Sequence, residues 1–124
     1  MRNSFIEKEC LYSYSTRVGN SNFYRTEADY IVGLVKDYIH EFLNESPYSG
    51  DFCISVEWED QVMYLKFVVE ILIKGPRKRY YRTFDLDRDE VDKEVIFTDD
   101  ITGDEIKTLE GIVNYIILGI IEIL

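Results

Sequence analysis

Catalysis in a chain this short would have to come from a few side chains, and the eligible ones are poorly placed for it. His40 is the one histidine, and Glu41 follows it. Neighbours on a helix point about 100° apart, so this pair makes no acid–base dyad. Cys10 and Cys53 have no metal-ligand spacing and no local histidine to activate them; the expectation is two reduced, partly buried thiols, with a single bridge between them as the alternative. Glycine-rich phosphate loops, zinc spacings and nucleophile elbows are absent from the sequence. Carboxylates, by contrast, are abundant: 24 Asp and Glu stand against 14 Lys and Arg, a formal net charge of −10. That charge repels nucleic acid and anionic membranes and favours basic partners. The expectation is a protein that is not an enzyme and uses no cofactor or metal.

Two charged clusters are the candidates for contact. Arg77, Lys78, Arg79 and Arg82, with Lys74 before them, are interleaved with Tyr80 and Tyr81. Such a run suits phosphate contact with base stacking, or a pocket for a small anionic ligand such as a nucleotide around Arg77, Arg79 and Arg82. The alternative is that these cations face Glu57, Glu59 and Glu70 across hairpins and stabilise a sheet. The second cluster is acidic: Asp85, Asp87, Asp89, Glu90, Asp92, Glu94, Asp99 and Asp100, extended by Asp104 and Glu105. Its D-x-D-x-D opening has calcium-loop spacing. Glu90 stands where that loop needs glycine, however, and Ile96 where it needs a bidentate glutamate. The stretch reads instead as an acidic surface that mimics nucleic-acid charge and fits a basic groove on a partner, or as a solvated loop.

The elements that would carry these clusters follow from periodicity. Over residues 5–16, Ile6, Cys10, Tyr12 and Tyr14 alternate with polar residues, which predicts a first strand with Ile6 on its inner side. A turn is expected at 19–22. Thr26-Glu27-Ala28-Asp29 has the form of a capping box, and Ile31, Val32, Val35, Tyr38, Ile39 and Phe42 then recur at helical spacing. Lys36, Asp37, His40, Glu41 and Asn44 make the opposite, polar side of that helix, which should stop before Pro47. Phe52, Ile54, Val56 and Trp58 alternate as a strand, and a turn at Glu59-Asp60 leads to a second with Met63, Leu65, Phe67, Val69, Ile71 and Ile73 on one face. A turn at Lys74-Gly75-Pro76-Arg77 opens a third over 78–86, and 94–98 adds a short fourth. Thr102-Gly103-Asp104-Glu105 predicts the cap of a last helix running to the end. From Ile112 on, that helix is apolar on more than one face, which marks Ile116, Ile117, Ile120, Ile121 and Leu124 as a candidate oligomer seam.

Together these predict one domain over 1–124 of class α+β. It has an antiparallel sheet of four to five strands with both helices on one face, in the order β-α-β-β-β-(β)-α. The α-β-β-β-α part is similar in element order to double-stranded-RNA-binding domains. Those carry a Lys-Lys pair at the start of the last helix, where this chain has Asp104 and Glu105, so direct nucleic-acid binding is not expected. The apolar run 112–124 is shorter than the ~20 residues that cross a bilayer, and the first residues lack a signal-peptide core. No membrane contact and a cytoplasmic location are expected. One alanine among many Ile, Tyr, Asp, Glu and Lys is the bias of AT-rich coding sequence, expected of a low-GC bacterium or its phage. Ten tyrosines exceed what a core can hold and suit an interface. The functional expectation is a small acidic inhibitor of a basic partner protein, of the phage anti-defence (anti-CRISPR-like) or toxin-immunity type. The alternatives are a self-assembling scaffold subunit and an anionic-ligand module.

Overall fold

The computed structural model describes residues 4–8, 22–59, 64–75, 77–88, 91 and 94–124. The elements are β1 (Phe5–Glu7), α1 (Asn22–Glu45), β2 (Gly50–Glu59), β3 (Tyr64–Ile73), β4 (Lys78–Arg88), β5 (Val95–Asp99), β6 (Glu105–Ile106) and α2 (Leu109–Ile123). Residues 9–16 of the expected first strand, turn residues 19–21, Asp60, Met63 and Pro76 lie outside the described residues.

The α+β class and the two helices are as read from the sequence, but the sheet is larger and mixed. Its six strands lie in chain order, and every pairing is antiparallel except β1 with β2. A helix between two strands lets them run parallel, and α1 makes that crossover. The sequence-read order lacked β6, whose two residues are too few to display a period. The phase of β1 is also the reverse of the expectation: Phe5 is buried and Ile6 exposed.

Columns of side chains cross the sheet in register. Phe52, Ile71 and Tyr80 form one, and Val56, Phe67, Phe84 and Asp99 another. These columns face the helices and make the core with Val32, Val35, Ile39 and Leu43 of α1 and Ile112, Ile116 and Ile120 of α2. Phe67 meets Phe84 and Phe97 edge-on at 5.8 and 5.4 Å, the geometry the ring quadrupoles prefer.

Three side chains one turn apart fasten α1 to β1. Lys36 pairs with Glu7 at 2.8 Å, His40 Nε2 donates to the Phe5 carbonyl at 3.0 Å, and Asn44 Oδ1 accepts from the Phe5 amide at 3.0 Å. His40 is therefore not the solvated polar-face residue expected: it is half-buried against the Phe52 ring, 4.6 Å away. Helix α1 begins at Asn22, so Thr26 does not cap it.

Helix α2 starts later than expected. Thr108 is its N-cap, with Oγ1 accepting from the Gly111 amide at 2.9 Å, while Glu105 belongs to β6. A Cβ on Gly111 would lie 2.8 Å from that hydroxyl, so the cap depends on the glycine. Further along, a Cβ on Gly119 would stand 2.4 Å from the Tyr80 ring. The Tyr80 hydroxyl is buried.

Neither described helix covers the sheet's other face, which carries Asp51, Lys66, Glu70, Arg79 and Asp85. Val68 and Cys53 are buried there, Leu72 and Tyr81 exposed. Cys53 is disulfide-bonded, which corrects the expectation of reduced thiols. The chain's other cysteine, Cys10, lies outside the described residues. In the folded protein, thiol titration under denaturing, non-reducing conditions should find no free cysteine. One or more free thiols would contradict the bond.

In a solvent-exposed helix, replacing glycine by alanine stabilises by about 1 kcal/mol. Gly119→Ala is expected to destabilise by about 1–3 kcal/mol instead, because α2 cannot then approach Tyr80. Urea unfolding reads this directly, and a raised midpoint would contradict the close approach.

Candidate functional site

The acidic stretch 85–100 turns out to be largely engaged within the fold. Lys66, opposite Asp85 in the β3–β4 register, donates to Asp85 and also to Asp100 at 3.1 Å. Burial works against the Lys66 charge, but its hydrogen bonds to the two carboxylates and their negative charge outweigh it and raise its pKa. Asp100 also accepts from the Thr83 hydroxyl at 2.5 Å. Asp87 and Glu94 are exposed and already make contacts of their own. Asp89, Glu90 and Asp92 lie outside the described residues.

Asp99 is not a surface residue at all: it is 1% exposed. Its Oδ1 accepts from the amides of Ile101 and Thr102 at 2.8 and 3.2 Å, an Asx turn, and its Oδ2 from the Tyr115 hydroxyl at 2.6 Å. Burial opposes charge on Asp99. The Tyr115 hydroxyl, the two amides and the nearby Arg82 together prevail and hold its carboxyl below the usual range. Tyr115 is pushed up, by burial and by its bond to Asp99. Thr102, expected as a helix cap, instead donates to Asp104 at 2.9 Å in the β5–β6 turn, where Gly103 takes φ 77°. This node holds the start of α2 against the end of β5.

The basic run does not form one patch. Alternation along β4 turns Tyr80 and Arg82 toward the helices, Arg79 and Tyr81 to the open face, and leaves Arg77 and Lys78 exposed at the turn. Tyr80 is buried, which pushes its phenol well up. Arg79 pairs with Glu70 at 3.5 Å and lies over the Tyr81 ring at 4.9 Å, as expected of cross-hairpin pairing. Arg77, Arg79 and Arg82 therefore do not converge on a common anion. The expected oligomer seam divides in the same way. Ile116 and Ile120 are fully buried core residues and Ile117 packs half-buried against the core, leaving Ile121 and Leu124 exposed together with Leu118.

What the fold leaves open is the outer surface of its helical layer. Going from Lys36 to Asn44, α1 passes from Glu7 back to Phe5, so it runs antiparallel to β1 and β2. Helix α2 runs antiparallel to β4, since Tyr115 meets Phe84 and Gly119 meets Tyr80. Strands β2 and β4 share a direction, so the two helices lie parallel. A groove of about 330 Å³ opens beside them, lined by Tyr38, Leu109, Glu110, Val113 and Asn114. Tyr38, read from the sequence as an inner residue, is 53% exposed there.

The border of this groove is acidic. Asp37 and Glu41 flank Tyr38 on α1 and Glu110 lines the groove from α2; Glu45 continues the α1 row at four-residue spacing, and Glu122 lies about three turns further along α2. None of these five carboxylates has an ion-pair partner among the described residues. Helix α2 contains no basic residue, and Lys36 of α1 is taken by Glu7. Like charges one turn apart cost roughly 0.2–0.5 kcal/mol per pair, and carboxylates in a last helical turn oppose the helix dipole. The Asp37–Glu41–Glu45 ladder is visible in the sequence, where it reads as an ordinary solvated face; the free state of its acids and the neighbouring groove emerge only in the fold. No protein-family model, curated protein or solved structure matches this chain.

Asp99→Asn keeps the shape of the node but removes the charge that Tyr115 and the two amides bind. A loss of about 1.5–3 kcal/mol is expected at neutral pH. Because the folded pKa is depressed, this contribution is complete above the unfolded carboxyl value and disappears as pH falls through the folded one. The stability gap between parent and variant should therefore close in acid. An equal gap at neutral and strongly acidic pH would contradict the assignment.

Proposed function

We propose that this protein acts by binding a partner with a basic surface and blocking it, with no chemistry of its own. It would be an inhibitor of the anti-defence or toxin-immunity type. The observation that carries this reading is the set of carboxylates on the helical layer without an ion-pair partner among the described residues, of which Asp37, Glu41 and Glu110 stand beside an apolar groove. The contact surface is thereby moved from the acidic stretch 85–100, whose described carboxylates are engaged within the fold, to α1 and α2. Local rules of helix stability are relaxed where function requires it, and the acid ladder on α1 is such a place. No described helix is long and apolar enough to cross a membrane. The disulfide at Cys53 supports an oxidising compartment over the cytoplasm first expected, because cytosolic thiols are kept reduced.

A second reading has its own observation. Leu118, Ile121 and Leu124 are exposed at spacings of three on α2, an apolar stripe that a second copy could cover. Homo-oligomerisation through this remnant of the expected seam would appear as a concentration-dependent mass in light scattering.

Glu41→Lys separates binding from stability. Removing two like-charge pairs near a helix C-terminus should stabilise the fold by roughly 0.5–1 kcal/mol. The same change should weaken capture of a basic partner from bacterial extract, and salt should release that partner from the parent protein. A variant that is more stable yet captures the same partner as well, with unchanged salt response, would contradict the proposal.

A further inference from the structure

The groove beside α1 and α2 has features that narrow the partner's chemistry beyond a basic surface. Its lining is apolar in Tyr38, Leu109 and Val113, with the Asn114 amide and the Glu110 carboxylate as its polar groups. Its volume is at the small end of ligand clefts, which span about 300–1,000 Å³. The α1 wall and the Val113–Asn114 part of the α2 wall lie inside helices with their backbone groups bonded, which leaves the first-turn amides of Leu109 and Glu110. An extended peptide laid here would find at most those two donors and no backbone acceptor, whereas a helix brings its own groups satisfied. The carboxylates of Asp37, Glu41 and Glu110 bordering the cleft call for cations on either side of an apolar stripe.

We propose that this groove is the seat of a cationic amphipathic helix from the partner, with apolar side chains in the cleft and Lys or Arg toward the acidic border. This rests on the reading of the protein as a binder of basic partners and specifies the element it grips. The mode is helix-in-groove recognition, read as anchors at i, i+3, i+4 and i+7. Charge argues against a second copy as the occupant. The chain carries a net −10, and the two helices together hold seven carboxylates against two basic residues. A symmetric contact would set acid against acid.

The test uses the full-length protein and three synthetic helical peptides read by fluorescence anisotropy at low and moderate salt. One is a Leu/Lys peptide with an amphipathic pattern, one has the same composition scrambled, and one is an amphipathic Leu/Glu peptide. The amphipathic cationic peptide should bind roughly tenfold more tightly than the scrambled one, and the acidic one should not bind. Asn114→Arg, which places a cation at an exposed groove position, should reduce that binding by a similar factor. Tyr80→Phe, a core change remote from the groove lining, should leave it unchanged. Equal binding of the two cationic peptides, insensitive to Asn114→Arg, would overturn the groove while leaving the basic-partner reading in place. No binding of either cationic peptide would overturn both. Self-association of the free protein that is abolished by Asn114→Arg would assign the groove to a second copy and overturn the proposal.

Discussion

The placement of α2 turns on a carboxylate that has left water. Asp99 is the buried charged side chain among the described residues. A charge in that position is tolerated only when its lone pairs are occupied, and here two amides and a phenol occupy them. The amides belong to the turn that follows β5 and the phenol to α2, so one side chain joins the last hairpin to the last helix. Gly119 against Tyr80 then sets how closely the C-terminal half of that helix may approach β4. Leu109 and Val113, which line the groove, are on the half held by Asp99.

The electrostatics of the molecule follow from covering a sheet on one face. Among the described residues, ion pairs on the open side of the sheet join Lys66, Lys74 and Arg79 to Asp85, Asp100, Asp51 and Glu70. Another joins α1 to β1. Cations are used where strands place them opposite acids, and Asp37, Glu41, Glu45, Glu110 and Glu122 on the helices have no ion-pair partner among the described residues. The net charge of −10 is thus expressed unevenly, and the two helices carry seven of the acids against two basic residues.

Much of the core could be read from alternation. Phe52, Ile54, Val56, Phe67, Val69, Ile71 and Ile73 are buried as the period-2 pattern of their strands requires. Positions where two patterns compete were harder. Thr102-Gly103-Asp104-Glu105 satisfies the form of a capping box, yet the same residues satisfy a hairpin turn. The structure uses the turn because Asp99 binds the amides of Ile101 and Thr102, a contact fixed by the tertiary position of Asp99. Asp99 itself was indistinguishable from its neighbour Asp100, since strand alternation sends one inward and the other to Lys66. His40 had a helical phase that pointed outward, and only the arrival of β1 gave it a partner. The candidate site was not legible in the sequence: the acidic surface was expected at 85–100, and Asp37 and Glu41 counted only as the polar side of the first helix, because the groove beside them depends on α2, nearly seventy residues later in the chain.

The central claim is that the helical layer, and not the acidic stretch 85–100, receives the partner. Amide hydrogen exchange of the protein alone and saturated with a captured basic partner tests this most directly. The account predicts new protection along α1 from Asp37 to Glu45 and along α2 from Leu109 to Asn114, with 85–100 unchanged. Protection confined to 85–100, with both helices unaffected, would contradict it.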